Sequence, residues 1–365
     1  TKRLLGCASW SAGPRLKRHG LRPLLAVCAD SAAFTRAEDA CVSRCLTLNS
    51  MPTDTIRSIS ICVLTHNRCA LLRDLLLSLR DLLYMPREII VIDNHSEDAT
   101  KQLVEGQFGE VVYIRTEKNI GVTARNLGLE RAKGDLVITL DDDVTGLTDD
   151  HIYHLRELFA KRPRLGAANF RIVEPRMGQL TNWVHHCNPA EFSNREFLTY
   201  EITEGAVAFR KAALEEVGLY WENFFLSHEG PDLAFRLINN GYDVLYTNAV
   251  VVTHHHSSLG RVHWLNYYFD TRNQFWLAAR NFPVGYAFLY LLKGLSSMLT
   301  YSIRDGYLTY FFRGVLDGLR GTPAALRERN VLNKKAMAAV KRIDSNRPGV
   351  LYLIKTRLLT KGVRL

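Results

Sequence analysis

The sequence predicts an α/β protein built on a doubly wound sheet, and three observations lead there. Short runs rich in Ile, Val and Leu alternate with stretches where leucines recur at helical spacing. Several of the runs end on polar residues: Thr65-His66-Asn67-Arg68, Asp93-Asn94-His95-Ser96 and Asp141-Asp142-Asp143. The runs and helical stretches strictly alternate, which is the pattern of parallel βαβ units. Ligands in such sheets bind beyond the carboxyl ends of the strands. Thr65, Asp93 and Asp141 are therefore expected to converge on one crevice.

The elements follow in order. Residues 60–64 read as a buried strand and 71–83 as a helix with leucines on one face. Residues 88–92 form the second strand, 98–107 a helix and 111–114 the third strand. Residues 122–132 read as a helix closed by Lys133-Gly134, and 136–140 as the fourth strand. Further on, 233–239 is expected to be a helix and 250–253 a strand ending in His254-His255-His256.

The carboxylates after the fourth strand are the most informative stretch. Three adjacent carboxylates repel one another, and hard cations such as Mg²⁺ or Mn²⁺ prefer oxygen ligands that bridge to phosphate. Taken singly, each polar tip has a plainer reading. Asp93-Asn94-His95-Ser96 can be an Asx turn capping a helix, and a charged loop needs no metal. Three tips that together suit a nucleoside and a diphosphate shift the balance.

Composition bounds the partners. Of the 365 residues, 47% are hydrophobic and the net charge is +10. Residues 257–365 hold 18 Lys and Arg against 5 Asp and Glu, while the rest is slightly acidic. A basic tail on a near-neutral body suits an anionic partner, membrane lipid or polyphosphate. No nucleic-acid motif accompanies the charge, so nucleic acid is not expected. The seven cysteines show no CxxC spacing, which argues against a zinc or disulfide framework. Four of them precede residue 50, in a segment without sustained periodicity. Residues 1–50 are expected to lie upstream of a true start at Met51, or to be disordered.

The motifs together resemble family 2 glycosyltransferases of the GT-A fold. The resemblance rests on Thr65-His66-Asn67-Arg68, Ile92-Asp93-Asn94-His95-Ser96, Gly121 to Gly128, Lys133-Gly134-Asp135 and Leu140-Asp141-Asp142-Asp143, in that order. It implies a catalytic domain over 56–260 with a mixed sheet, and transfer of a sugar from a nucleotide donor with inversion. Thr65, Asn67, Arg68, Asp93, Asn119, Arg125, Asp141 and Asp142 would then bind the nucleotide sugar, Asp93 meeting the base. Asp141 and Asp143 match the outer positions of the family's DxD motif, with Asp143 the direct ligand to Mg²⁺ or Mn²⁺. The family places a metal-binding histidine near residues 254–256. His254 is chosen by its spacing from the strand, and alternation leaves His255 and His256 open.

Inversion also needs a base to deprotonate the acceptor hydroxyl. Residues 224–236 resemble the family's Glu-Asp-x-Asp-Leu-x-x-Arg motif, but the usual base position is Gly230. Glu229 is the first choice and Asp232 the second, although Asp232 suits a helix cap better. Glu204-Gly205-Ala206 resembles an acceptor-side loop ahead of an amphipathic segment, and Trp183 with His185-His186 could shape the acceptor site. A three-histidine zinc hydrolase lacks its HExxH pattern here.

Residues 261–365 read as a helical tail rich in aromatic and basic residues. Across 281–303 only Lys293 is charged, and that length could cross a bilayer. Pro283, Gly285 and Gly294 weaken a spanning helix, and the tyrosines and arginines around it suit one lying on anionic lipid. Interfacial binding ranks first, a packed core helix second and a span third. The sequence thus points to an inverting, metal-dependent glycosyltransferase at the cytoplasmic membrane face. Its donor would be a UDP- or dTDP-sugar and its acceptor a saccharide, free or lipid-linked, in cell-surface polysaccharide synthesis. The alternatives are a polyprenyl-phosphate glycosyltransferase and an inactive nucleotide-sugar binding module.

Overall fold

The first strand, β1 (Ile59–Thr65), is buried at every position but Leu64 and is flanked on both sides. It pairs in parallel with β2 (Glu88–Asp93) and with β4 (Leu136–Asp141), while β3 (Val112–Arg115) extends the sheet beyond β2. The chain therefore winds outward one way through β2 and β3, then crosses to the other side of β1 for β4. The carboxyl ends of β1, β2 and β4 meet at this switch, with Thr65 opposite Asp93 and Leu64 opposite Asp141. The register delivers the expected convergence of the three tips.

This is a computed structural model, and it describes residues 56–84, 86, 88–255 and 263–349. These all fall in one compact unit, residues 53–365. The expectation for residues 1–50 lies outside the described residues, as do His256 and the end of the basic tail.

Beyond β4 the sheet becomes mixed. The short β5 (Val144–Thr145) pairs antiparallel with β9 (Asp243–His254). Next to β4 lies antiparallel β8 (Ala206–Arg210), then β6 (Leu165–Val173), which runs parallel to β9. A two-residue β7 (Phe197–Leu198) also pairs with β9. β8 is buried at every position, so the segment after Glu204-Gly205 is a core strand rather than an amphipathic one. A strand covered on both faces shows no alternation, which hides it in the sequence.

Helices cover both faces. α1 (Cys69–Arg80), α2 (Thr100–Gln107) and α4 (Asp149–Lys161) bury leucines, and Thr148 caps α4 with a capping box to His151. A 3-10 turn at Gly121–Ala124 leads into α3 (Arg125–Arg131). The next helices are α5 (Pro189–Phe192), α6 (Lys211–Val217) and α7 (Glu229–Asn239). The C-terminal part is helical: α8 (Trp264–Asn281), α9 (Val284–Asp305), α10 (Leu308–Arg327) and α11 (Lys334–Asp344). Trp276, Leu277 and Ala278 of α8 join the core that contains Phe235 of α7, so the helical extension packs on the sheet unit. No helix among the described residues is long and apolar enough to cross a membrane.

Candidate functional site

The site begins where β4 ends. Asp142 and Asp143 form the turn into β5, and β5 pairs Val144 with His254 at the end of β9. A strand 12 residues long thus carries His254 to the carboxylates. Nε2 of His254 lies 3.0 Å from Oδ1 of Asp143, and the Asn182 amide faces Nδ1 at 3.1 Å. Ligand atoms of Asp141, Asp143 and His254 all lie within 4.8 Å of one another. Two carboxylates and one imidazole are a suitable donor set for Mg²⁺ or Mn²⁺. His255 points elsewhere, its Nε2 lying 2.7 Å from Oγ1 of Thr145.

The middle carboxylate has a different task. Asp142 accepts a hydrogen bond from Thr65 Oγ1 at 2.8 Å and one from Arg68 at 3.1 Å. Arg68 also pairs with Asp143 at 2.9 Å. Burial pushes the Asp142 carboxyl up to about 6 despite the opposing charge of Arg68. On the other flank, buried Arg125 pairs with Asp141 and donates to the Leu140 carbonyl at 3.2 Å. The Asp141 side chain remains 41% exposed, so this carboxylate is open to a ligand.

The other residues singled out in the sequence stand around the strand tips. Asp93 is fully buried and accepts from the Ser96 N–H at 2.7 Å and from the Tyr113 hydroxyl. Its oxygens thus hold the turn, so the sequence expectation that it meets a base now faces a carboxylate engaged by its own protein. Asn67, at φ 55°, accepts from the Glu97 N–H at 2.6 Å. Exposed Asn119 accepts from the Asn94 amide and from the Gly121 N–H, each at 2.9 Å.

The start of α7 meets the segment that also touches Asp141: Gly230 lies against Glu204, and Gly205 against Asp141. Ser227 and His228 hold φ values of 69° and 72°, a left-handed pair that costs energy in residues with side chains. Asn273 of α8 donates to the carbonyls of Leu226 and Ser227, both at 2.7 Å, and holds that turn. The turn presents Glu229, buried at 3% exposure, whose Oε2 has no hydrogen-bond partner among the described residues. Burial first, and then the charge of Asp270, push Glu229 up to about 7.

Asp232, the second candidate base, is locked. It accepts from Arg236 at 3.1 Å, from Arg280 at 2.8 Å and from Asn281 at 2.7 Å. Despite burial, Arg236 and Arg280 hold its carboxyl below the usual range. A carboxylate so committed joins α7 to α8 and is not placed to take a proton. The His185 ring faces Oγ1 of Thr199 at 3.1 Å, and burial depresses it to about 3, so it stays neutral.

Sequence reasoning misses Glu204 as a chemical group. Burial of its carboxyl, together with the charge of Glu229, raises it well above the usual range. The signal available is its place just before Gly205. A Cβ at Gly205 would overlap Oδ2 of Asp141, so only glycine lets this segment approach that carboxylate.

A mixed sheet whose switch point gathers carboxylates, a histidine and two arginines has the architecture of the GT-A fold. Residues 60–218 match the model for glycosyl transferase family 2. The poly-beta-1,6-N-acetyl-D-glucosamine synthase of Staphylococcus aureus is 26% identical over 215 residues, 54% of this chain and 51% of that protein. Its counterpart in Staphylococcus epidermidis is 26% identical over 204 residues, 52% of this chain and 48% of that one. The chain spans about half the length of these curated relatives. Among solved structures, Staphylococcus aureus TarS 1-349 in complex with UDP-GlcNAc superposes with a TM-score of 0.53 at 14% identity, covering 79% of this chain and 91% of that one. GalNAc-T7 with UDP, GalNAc and Mn2+ gives 0.53 at 14% identity, covering 83% and 58%. At these identities the structures establish the fold. The family match ends before α7 and β9, so Glu229 and His254 lie beyond it.

Proposed function

We propose that this chain transfers a sugar from a UDP- or dTDP-sugar to a saccharide acceptor, with inversion, in the synthesis of a cell-surface polysaccharide. The observation that carries this reading is the group of Asp141, Asp143 and His254, whose ligand atoms lie within 4.8 Å of one another at a strand switch point. Those three residues would hold a divalent cation, which as a Lewis acid stabilises charge on a departing diphosphate. Arg68 and Arg125 stand on either side of the carboxylates and can pair with phosphate oxygens. The polysaccharide-synthase relatives and the neighbour solved in complex with UDP-GlcNAc support the class of donor and product.

The acceptor is proposed to be lipid-linked, at the cytoplasmic face of the membrane. Exposed apolar residues on α9 and α10 support that part: Phe288 is 66% exposed, Leu292 59% and Phe312 54%.

Thermal unfolding with UDP and dTDP, with and without Mn²⁺, tests the reading. A nucleotide at ~100 times its Kd should stabilise the native chain by about 2.7 kcal/mol. The rise should require Mn²⁺ and disappear in Asp143→Ala. No shift with any nucleoside diphosphate, in the presence of metal, would sink the proposal. Binding without turnover of any sugar nucleotide would support the inactive binding module instead.

A further inference from the structure

We propose that Glu204 is the carboxylate that takes the proton from the acceptor hydroxyl, filling the place that Gly230 leaves without a side chain. This inference rests on the sugar-transfer reading above. The resemblance puts the family's base at position 230, where this chain has glycine. A Cβ there would overlap Oε1 of Glu204 and stand 2.6 Å from the Ile202 carbonyl oxygen. The space an aspartate would enter is therefore held by a carboxylate from another part of the chain. Gly230 makes room for Glu204.

Glu204 is also tied to the leaving-group side. Its carbonyl accepts a hydrogen bond from Thr139 Oγ1 of β4. The carbonyl of the next residue, Gly205, accepts from the Asp141 N–H at 3.1 Å. Glu204 is thus one peptide removed from a contact with the metal-side carboxylate residue. Geometry separates it from its neighbours. Asp232 is committed to Arg236, Arg280 and Asn281, and it is Glu204 whose Oε1 occupies the space beside Gly230.

The charges of Glu229 of α7, Arg125 of α3 and Asp141 at the end of β4 act on Glu204, and Glu204 in turn acts on Tyr220. In the step, the acceptor O–H proton passes to the Glu204 carboxylate while the acceptor oxygen bonds to the anomeric carbon. The bond from that carbon to the diphosphate breaks, its electron pair staying on the diphosphate oxygen.

The test measures UDP or dTDP release from a panel of UDP- and dTDP-sugars with Mn²⁺, across pH, using the full chain. Glu204→Gln should slow release by ~10²-fold or more and remove the acid limb of the pH profile. UDP affinity should stay within about twofold, because the nucleotide side is untouched. Glu204→Asp should recover part of the rate. Glu229→Gln should leave turnover measurable and move the acid limb to lower pH, since a like charge is gone. Full release by Glu204→Gln, or loss of turnover in Glu229→Gln while Glu204→Gln works, would overturn the assignment. A wild-type chain that binds no nucleotide would instead bring down the sugar-transfer reading itself.

Discussion

At the scale of single residues, adjacent carboxylates in one sequence motif have unlike fates. Asp141 is open, Asp143 faces His254, and Asp142 turns back onto Thr65 and Arg68. The same contrast holds on α7, where Glu229 has an oxygen without a hydrogen bond and Asp232 has none to spare. Removing one partner of a buried ion pair leaves the others uncompensated, at a cost of about 3–5 kcal/mol. Asp232→Ala should lose stability of that order in urea unfolding, with Arg236 and Arg280 both left buried. The pH dependence has a defined sign. The folded-state value lies below the ordinary 3.8, so this stabilisation is present above that value and is lost as pH falls through the folded one. Asp232→Ala should therefore show a flatter acid limb of stability than the wild type. The motif names these residues, but only their neighbours decide which carboxylates are held by the protein and which remain for chemistry.

At the scale of elements, the strands at the switch point are legible because they are short, apolar and end on polar residues. The expected helix over 122–132 divides into a 3-10 turn and α3, and the expected strand over 250–253 is the end of the longer β9. β6 and β8 are not legible in the sequence because burial on both faces removes alternation. The contact of α8 with α10 is equally hidden. Gly314, Gly318 and Gly321 line the side of α10 against α8, and a Cβ at Gly318 would stand 2.5 Å from the Phe275 ring. The Trp276 indole N–H donates to the Gly318 carbonyl at 3.0 Å. Gly318→Leu should overpack this contact and cost about 1–3 kcal/mol in denaturant unfolding, with a change in tryptophan emission. Leu319→Gln, at an exposed neighbouring position, should stay within about 0.5 kcal/mol of wild type. Equal losses for the two would show that the glycine contact has no special weight.

At the scale of the whole molecule, charge and apolar surface occur together in the C-terminal helices. Leu308, Phe312, Leu316 and Leu319 recur along the exposed side of α10, and Val284, Phe288 and Leu292 along α9. Exposed Arg313, Arg320 and Arg327 accompany the α10 stripe. Apolar stripes with flanking bases suit a helix lying on anionic lipid. On the proposed membrane reading, the chain should co-sediment with phosphatidylglycerol vesicles and not with phosphatidylcholine vesicles. Phe312→Glu combined with Leu316→Glu should weaken that binding by ~10-fold or more, since two buried apolar side chains contribute about 1.5–3 kcal/mol each. Unchanged vesicle binding by this variant would assign the surface to another role.

The sequence by itself determined the strand–helix alternation, the polar strand tips and the Asp141-Asp142-Asp143 turn, because each depends on residues close together in the chain. The tertiary structure decided what lies far apart in sequence. It brought His254 to Asp143 through the pairing of β5 with β9, closed Asp232 between two arginines, and set Glu204 in the space beside Gly230. Those pairings depend on strand order and on which face of a helix is buried. Neither is written in local spacing, so the base side of the crevice becomes readable only once the sheet is assembled.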